Sequence, residues 1–574
     1  MKKQRQKQEW KPFLRLLREA KIPWGLYIFN LAASMLLSTV LMRMPWVAGQ
    51  IMAGEIFDRS LVITYIVVML VSTVVNIPLS LLSSWTGYRA DRNLRRIVWK
   101  RIVHMPQKDL DRIPPTSMVS RVTNDTASIS YGISYCFDLV STIYSLGVVL
   151  VTVWGINHQV TWMMLLLIPF IILASIPSHF MHDAKDEAQN ALARYTNFLS
   201  ERLSSIKQIK AFNAEEDEDR LNDAAAREYF KANVRMTRLS MISEPLIYSM
   251  DAVVQAIVLV FGGYLLSQAV LTSEDIVTLF MYAGSISVYA YQFVFFWQAL
   301  KQSQGAARTA SQIVETPGEV MERKRSFSIP DADIRLENVS FAYENGQKVL
   351  DDLSLVIPKG KTTAIVGPSG SGKTTVLKLL ERLYQPSSGR ILFGDIPAED
   401  IHLNEWRESF GMVPQNSPLL FGTIRDNILY GVEEKTGEKL LDSAVEKANV
   451  QEILNRLPDG ILSDVGDVGS RLSGGEKQRI ALARMMIRDP EYLILDEATS
   501  ALDAENEHQI TEALQRLMEG RTSVVVAHSL RTIEHADHII FLENGKVQAS
   551  GTHGELLRTN PTYQRYVELQ KGEC

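Results

Sequence analysis

Six apolar runs, at positions 24–42, 61–82, 133–156, 160–180, 245–270 and 276–300, crowd the first part of the chain, and the remainder reads as ordinary globular sequence. Each run is near the roughly 20 residues that a membrane-crossing helix needs. A chain of 574 residues is too long for one core, and this uneven placement implies two parts built for different solvents. Six crossings return the chain to the side on which it began.

Basic residues decide which side that is. Lys2, Lys3, Arg5, Lys7, Lys11, Arg15 and Arg18 precede the first run, and Arg89, Arg92, Arg95, Arg96, Lys100 and Arg101 follow the second. The outer connections hold Arg59 in one, no Lys or Arg at 155–159, and Glu274 and Asp275 in the last. The positive-inside bias places the N-terminus, and everything after residue 300, in the cytosol. A cleaved signal peptide is the competing reading of the basic start. The first apolar run is too long for one, lacks a small-residue cleavage site and is followed by five more runs, so it reads as a retained helix. Cys136 and Cys574 are the only cysteines, which excludes a disulfide framework and a cysteine metal site. The net charge of −5 averages two dissimilar halves and excludes little.

Residues 83–132 and 181–244 are long, mostly polar excursions on the cytosolic side, whereas the outer connections are short. Helices are therefore expected to run beyond the bilayer, with residues 115–125 and 206–216 placed to touch a cytosolic partner. The expected organisation is a cytosolic amphipathic segment over 1–23, a membrane domain over 24–305, a linker over 306–333 and a soluble domain over 334–574.

The soluble part opens on a half-buried alternation from Ile334, and the buried strand beginning at Thr363 leads into Gly367, Pro368, Ser369, Gly370, Ser371, Gly372, Lys373, Thr374 and Thr375. Such a loop lets backbone N–H groups converge on a polyphosphate at a helix N-terminus, while Lys373 supplies positive charge and Thr374 a hydroxyl for Mg²⁺. Further apolar strands begin at Tyr492 and Ser523, which makes the sheet largely parallel and covered by helices. The Tyr492 strand ends on Asp496 and Glu497, two carboxylates at the C-terminal sheet edge where open α/β sheets bind ligands. One can serve a metal while the other faces water. A lone loop of this type would leave a kinase or a GTPase open. The chain also carries Leu472, Ser473, Gly474, Gly475 and Glu476, and the combination is far more specific than any piece.

In this order and spacing the motifs resemble the ATP-binding cassette (ABC) exporters, specifically a half-transporter of the multidrug or lipid exporter kind. The likeness extends over nearly the whole chain. It implies a membrane α-helical domain with six transmembrane helices joined to a cytosolic α/β P-loop ATPase domain, with ATP and Mg²⁺ as cofactors. By the same resemblance Tyr343 stacks on adenine. Thr374, Gln415 and Asp496 serve the Mg²⁺, with Gln415 linking metal and attacking water to the membrane domain. Glu497 acts as general base or orients the water, and His528 contacts the γ-phosphate. Leu472 to Glu476 complete the site of a second chain, identical or related, and Asp503 lies at that interface. Residues 115–125 and 210–223 would hold the coupling helices, the second docking on the opposite chain's cassette. Glu476 stands where the family most often has Gln, and Val468 where an Arg is frequent.

The implied function is ATP-driven export of an amphipathic small molecule, drug, lipid or peptide across the cytoplasmic membrane, with no nucleic-acid partner. The same scaffold also serves siderophore importers, and an ATP-gated channel or regulatory protein is the different-class reading; an intact Glu497 favours turnover. In the sixth run Tyr282, Tyr289, Tyr291, Phe293, Phe295, Phe296 and Trp297 either line a pathway or, with more weight, face lipid and neighbouring helices. Asp138 and Asp251 either attract a cation or pair helices near the cytosolic boundary. Arg43 is read as snorkelling to the outer interface, and His179 with His182 as a solvated helix exit lacking a third metal ligand.

Overall fold

The computed structural model describes residues 10–53, 58–165, 167–319, 332–343, 346–415, 417–466, 471–496, 504–527 and 530–571. They form two compact units. One combines the described part of Met1–Val103 with Pro114–Thr316, and the other combines His104–Ile113 with the described part of Pro317–Cys574.

The first unit is helical. Helices Trp24–Leu41 and Met44–Ala53 are followed by Arg59–Val103, Thr126–Ile156, Leu167–Ser204, Glu215–Ser267 and Ser273–Glu315. The 45 residues of Arg59–Val103 span about 68 Å at 1.5 Å per residue, more than twice the roughly 30 Å hydrocarbon core. This is the extension beyond the bilayer that the polar excursions imply. Among the described residues, Trp24–Met52, Arg59–Val103, Pro115–Ile156 and Ser273–Glu315 are long and apolar enough to cross a membrane, and Ala252–Ser267 is a shorter apolar stretch. The run at 160–180 falls partly on Leu166 and on side chains outside the described residues, that of His179 among them, and the side chains of His182 and Asp251 also lie outside them.

Close helix contact depends on small residues at one crossing. A Cβ on Gly132 would stand 2.4 Å from the Cβ of Ser303, so glycine permits Thr126–Ile156 and Ser273–Glu315 to meet there, and Ser303 donates to the Ser128 carbonyl at 2.6 Å. The segment Lys11–Glu19 is an amphipathic helix. It buries Phe13, Leu16 and Leu17 against Ser273–Glu315, and Arg15 pairs with Glu315 at 2.8 Å. Arg43 is exposed at the break between the first two helices.

The expected position of the first coupling segment needs correction. Pro115–Ser120 and the π-helical turn Arg121–Asp125 belong to the helical unit, whereas His104–Ile113, with its short helix Gln107–Leu110, belongs to the other.

The second unit holds two sheets. Strands β1 (Ile334–Ala342), β2 (Lys348–Ile357), β3 (Thr362–Val366), β4 (Ser388–Phe393), β5 (Ile396–Pro397), β6 (Phe410–Val413), β7 (Tyr492–Asp496), β8 (Thr522–Val526), β9 (His538–Glu543) and β10 (Lys546–Gly551) follow one another along the chain. An antiparallel sheet runs β2-β1-β4-β5, and a second runs β10-β9-β3-β8-β7-β6. In the second sheet only the edge strand β10 is antiparallel.

Trp406 anchors the core shared by the two sheets. It is fully buried, its Nε1 donates to the Leu380 carbonyl at 2.7 Å, and its ring lies 5.0 Å from Phe410 and 5.6 Å from Phe393. Truncating a buried aromatic typically costs about 3–5 kcal/mol, and here it also orphans a carbonyl. Trp406→Ala is therefore expected to lower the apparent Tm of the solubilised protein by several degrees; an unchanged melting curve would show that the core does not depend on this ring.

Candidate nucleotide-binding site

Strand β3 delivers the chain to the phosphate loop and the helix Lys373–Leu380 takes it away. Left-handed backbone makes the turn possible: Gly372, the residue before the helix, has φ 104°, and a Cβ there would fall 2.6 Å from Leu350 Cδ2. Glycine alone accepts both constraints. Lys373 is buried, and its ammonium donates to the carbonyls of Gly367 at 2.8 Å and Pro368 at 3.0 Å. Ser371 is 2% exposed, and its hydroxyl has no hydrogen-bond partner among the described residues. A buried hydroxyl left unsatisfied costs free energy; a phosphate oxygen in the loop would satisfy it.

Sheet register sets the opposing wall. Val526 of β8 pairs with Ile365 on one side and with Asp496 on the other, so Asp496 stands on the same C-terminal edge as the phosphate loop. The helix Lys373–Leu380 packs beside β7. Gln415 follows the end of β6 and is exposed, as is Thr374. A hydroxyl, an amide and a carboxylate are hard oxygen donors of the kind Mg²⁺ prefers. Glu497, Asp503, His528 and Val468 lie outside the described residues.

Tyr343 closes β1 into an aromatic group. Its ring meets Phe341 edge-on at 4.9 Å and Tyr384 at 5.7 Å, and its hydroxyl lies 3.3 Å from that of Thr375. The Lys378 ammonium stands over both Tyr343 and Tyr384. Tyr384 in turn donates a hydrogen bond to Asp111 of His104–Ile113. The candidate adenine platform is thus one side chain removed from the segment that the first excursion contributes to this unit. Glu319 adds a second tie, since its carboxylate accepts a bidentate pair from Arg407 at 2.7 Å each and its N–H donates to the His104 carbonyl at 2.8 Å. Sequence reasoning passed over Tyr384, Asp111, Glu319 and Arg407.

Glu381, at the end of the phosphate-loop helix, was also passed over. Burial pushes its carboxyl up to about 7, Arg407 pulls it back and Asp496 pushes it further up. One of its oxygens is buried with no hydrogen-bond partner among the described residues. The folded-state value exceeds the ordinary 4.5, so its contribution to stability is full below that value and is lost as pH rises through about 7. Nucleotide-free protein is expected to lose apparent Tm between acid and mildly alkaline pH, and Glu381→Gln, which cannot ionise, is expected to lose less. Equal slopes for the two proteins would remove Glu381 as the cause.

The segment Leu472–Glu476 forms a helix start. Ser473 caps Gly474–Arg488, its hydroxyl accepting from the Glu476 N–H at 3.4 Å while the Glu476 carboxylate accepts from the Ser473 N–H at 2.8 Å. Glu476 also pairs with Arg456. The departure from Gln therefore has a local reason: either side chain can close the capping box, but only the carboxylate also forms an ion pair with Arg456. Leu472 and Gly475 are buried, whereas Ser473 and Gly474 are exposed. The polar ties of this segment are local, the capping box and the pair with Arg456.

A phosphate loop facing a strand-end carboxylate, in a unit linked to long apolar helices, defines a P-loop ATPase fused to a membrane domain. Residues 350–500 match the family described as ABC transporter, and residues 27–289 match the ABC transporter transmembrane region. A multidrug resistance ABC transporter ATP-binding and permease protein of Lactococcus lactis is 30% identical over 98% of this chain and 96% of its own length. An ATP-dependent lipid A-core flippase of Chromobacterium violaceum is 31% identical over 86% of this chain and 84% of its own. Among solved structures, a bacterial Atm1-family ABC exporter shares the fold with a TM-score of 0.82 at 24% identity, covering 96% of this chain and 99% of that one. The chain belongs to the ABC transporter family. It is a multi-pass membrane protein with the exporter-type fold and a cytosolic, nucleotide-binding ATPase domain coupled to transport.

Proposed function

We propose that this chain is a half-transporter that pairs with a second, identical or related chain and uses ATP hydrolysis to export an amphipathic molecule from the cytosol or inner leaflet. The observation that carries the pairing is the exposure of Ser473 and Gly474 at the start of a long helix. Backbone N–H groups at a helix start favour an anion, and a second chain's γ-phosphate is the anion this reading assigns to them. Asp503 would lie at the same interface.

In each composite site Tyr343 holds the base and the phosphate loop with Lys373 holds the phosphates. Glu497 takes a proton from the attacking water, His528 steadies the γ-phosphate, and Gln415 reports occupancy toward the membrane domain. Thr374, Gln415 and Asp496 would hold Mg²⁺, which supplies neutralisation of charge on the transferring phosphoryl group. The carriage of drugs by the Lactococcus relative and of lipid A-core by the Chromobacterium relative, as their names state, supports an amphipathic cargo.

The test is Mg²⁺-dependent ATP hydrolysis by the chain purified alone in lipid nanodiscs, followed by uptake into inside-out vesicles. Hydrolysis by the chain alone with ATP-driven accumulation supports a homodimeric exporter. Folded, ATP-binding protein without hydrolysis would point to a different partner chain. Hydrolysis together with movement only down a gradient would overturn the pump in favour of a channel.

A further inference from the structure

The phosphate loop is braced by parts of the chain that follow the last parallel strand. Val366, at the end of β3, pairs in register with Phe541 of β9. A Cβ on Gly367 would fall 2.0 Å from the Leu542 carbonyl oxygen, so the loop leaves the sheet in tight contact with β9. Further along the loop, the Ser371 carbonyl accepts the Gly545 N–H at 3.2 Å. That donor belongs to the turn joining β9 to β10, where Asn544 and Gly545 take left-handed backbone at φ 49° and 73°.

The helix Pro561–Lys571 adds a third support. Tyr563, Tyr566 and Val567 recur at the three- and four-residue spacing that puts side chains on one helix face. Tyr563 and Val567 are buried, and the Phe541 ring meets both Tyr563 and Tyr566 with centroids 5.7 Å apart. The helix is therefore seated on the strand that flanks β3, beside the residue from which the loop departs.

Its two phenols have different neighbours. The Tyr563 hydroxyl lies 2.8 Å from Nδ1 of His553, away from the loop. The Tyr566 hydroxyl is sealed from solvent and makes no hydrogen bond of ideal geometry. The group that faces it is the backbone N–H of Gly367, whose donation pulls the phenol back from the rise that burial causes. The carbonyl of the same glycine accepts from the Lys373 ammonium at 2.8 Å. Gly367 is thus approached at both of its backbone polar groups, by Tyr566 at the N–H and by Lys373 at the carbonyl.

Glycine lets this backbone come close to phosphate, but it also leaves the loop with little shape of its own. Neighbours must therefore keep its N–H groups convergent on the anion. The Lys373 hold is temporary in a site where the ammonium serves the phosphates.

We propose that Tyr566 is a positioning residue for the nucleotide site, its hydroxyl holding the Gly367 end of the phosphate loop in place when Lys373 turns from the Gly367 carbonyl to bound phosphate. Tyr566 acts through the loop backbone and touches no nucleotide. The inference rests on the reading that Gly367–Thr375 holds the phosphates. It gives the end of the chain a part in ATP binding, and the effect is specific to the phosphates because the base is held elsewhere, at Tyr343.

The test is a titration of the full chain in lipid nanodiscs with ATP and with adenosine, each displacing a fluorescent ATP analogue, on wild type, Tyr566→Phe and Tyr563→Phe. Phenylalanine keeps the ring on Phe541 and removes only the hydroxyl. Tyr566→Phe is expected to weaken ATP binding about three- to tenfold, the worth of one ordinary hydrogen bond, and to leave adenosine affinity unchanged. Tyr563→Phe, which removes the hydroxyl facing His553, is expected to change neither affinity. A purely structural loss would instead lower the number of sites and the melting temperature at unchanged affinity. Equal ATP affinity in wild type and Tyr566→Phe would overturn the inference, as would an equal loss for ATP and adenosine or the same loss in Tyr563→Phe. Wild type that binds ATP no more tightly than adenosine counts against the phosphate-loop reading itself, whereas an ATP preference indifferent to Tyr566→Phe sinks this inference alone.

Discussion

A Glu497→Gln variant is expected to bind ATP as tightly as the wild type and to hydrolyse it about 10²–10⁴-fold more slowly, the range a positioned general base contributes. Glu497 follows directly on Asp496, the last residue of β7, and β7 ends on the sheet edge that carries the phosphate loop. The amide keeps the size and much of the hydrogen bonding of the carboxylate but cannot accept a proton from water. In the proposed site the nucleotide contacts come from Tyr343, the loop and Lys373, none of which the substitution replaces. A fluorescent-nucleotide titration alongside phosphate release separates the two quantities. Undiminished release would refute the assigned role, and a loss of binding equal to the loss of turnover would show that Glu497 holds the ground state instead. Because hydrolysis is what reopens the pair in this reading, the variant is also expected to accumulate as a closed, ATP-loaded dimer on size-exclusion chromatography.

The sequence was most informative where the chemistry is local. The phosphate loop is one contiguous turn, so its spacing alone identifies it, and Asp496 is marked by the end of an apolar strand. Apolar runs located the membrane helices, yet Thr126–Ile156 begins before the run at 133–156, because a helix can carry Thr126, Ser128 and Ser130 where it packs on protein or leaves lipid. The docking segment was misread because residues 115–125 lie beyond the middle of the polar stretch at 83–132, and that middle falls within His104–Ile113. The chain instead separates His104–Ile113 from the helical unit, and Pro106 and Pro114 were a usable signal, since each stands immediately before the start of a new short helix. Ties between distant residues left no such trace. Tyr384 reaches Asp111 and Arg407 reaches Glu319 across long stretches of sequence, and neither pair has a period or a motif. Glu476 read as a departure from pattern, and only its contact with Arg456 gives the carboxylate a reason.

Lys373→Ala is expected to weaken ATP binding by about 10–100-fold, since a hydrogen bond to a charged group contributes roughly 1.5–3 kcal/mol, and to bring hydrolysis to background. Without nucleotide the ammonium is held by the carbonyls of Gly367 and Pro368, so the loop is pinned around the positive charge before phosphate arrives. Alanine removes both the charge and the pin. Lys373→Arg separates these contributions: it keeps the charge, but its planar head needs more room than a buried site formed by two backbone carbonyls was built for, and it presents its donors as a rigid fork. If charge alone matters, arginine should restore binding; if the point-like ammonium in its cradle matters, arginine should fail nearly as badly as alanine. The geometry favours the second outcome. The comparison with Glu497→Gln then completes the assignment, because Lys373 variants are expected to lose binding and turnover together, while Glu497→Gln loses turnover alone. A Lys373→Ala protein that still bound ATP with wild-type affinity would mean that the backbone N–H groups of the loop suffice to hold the phosphates, and that Lys373 acts only once phosphoryl transfer has begun.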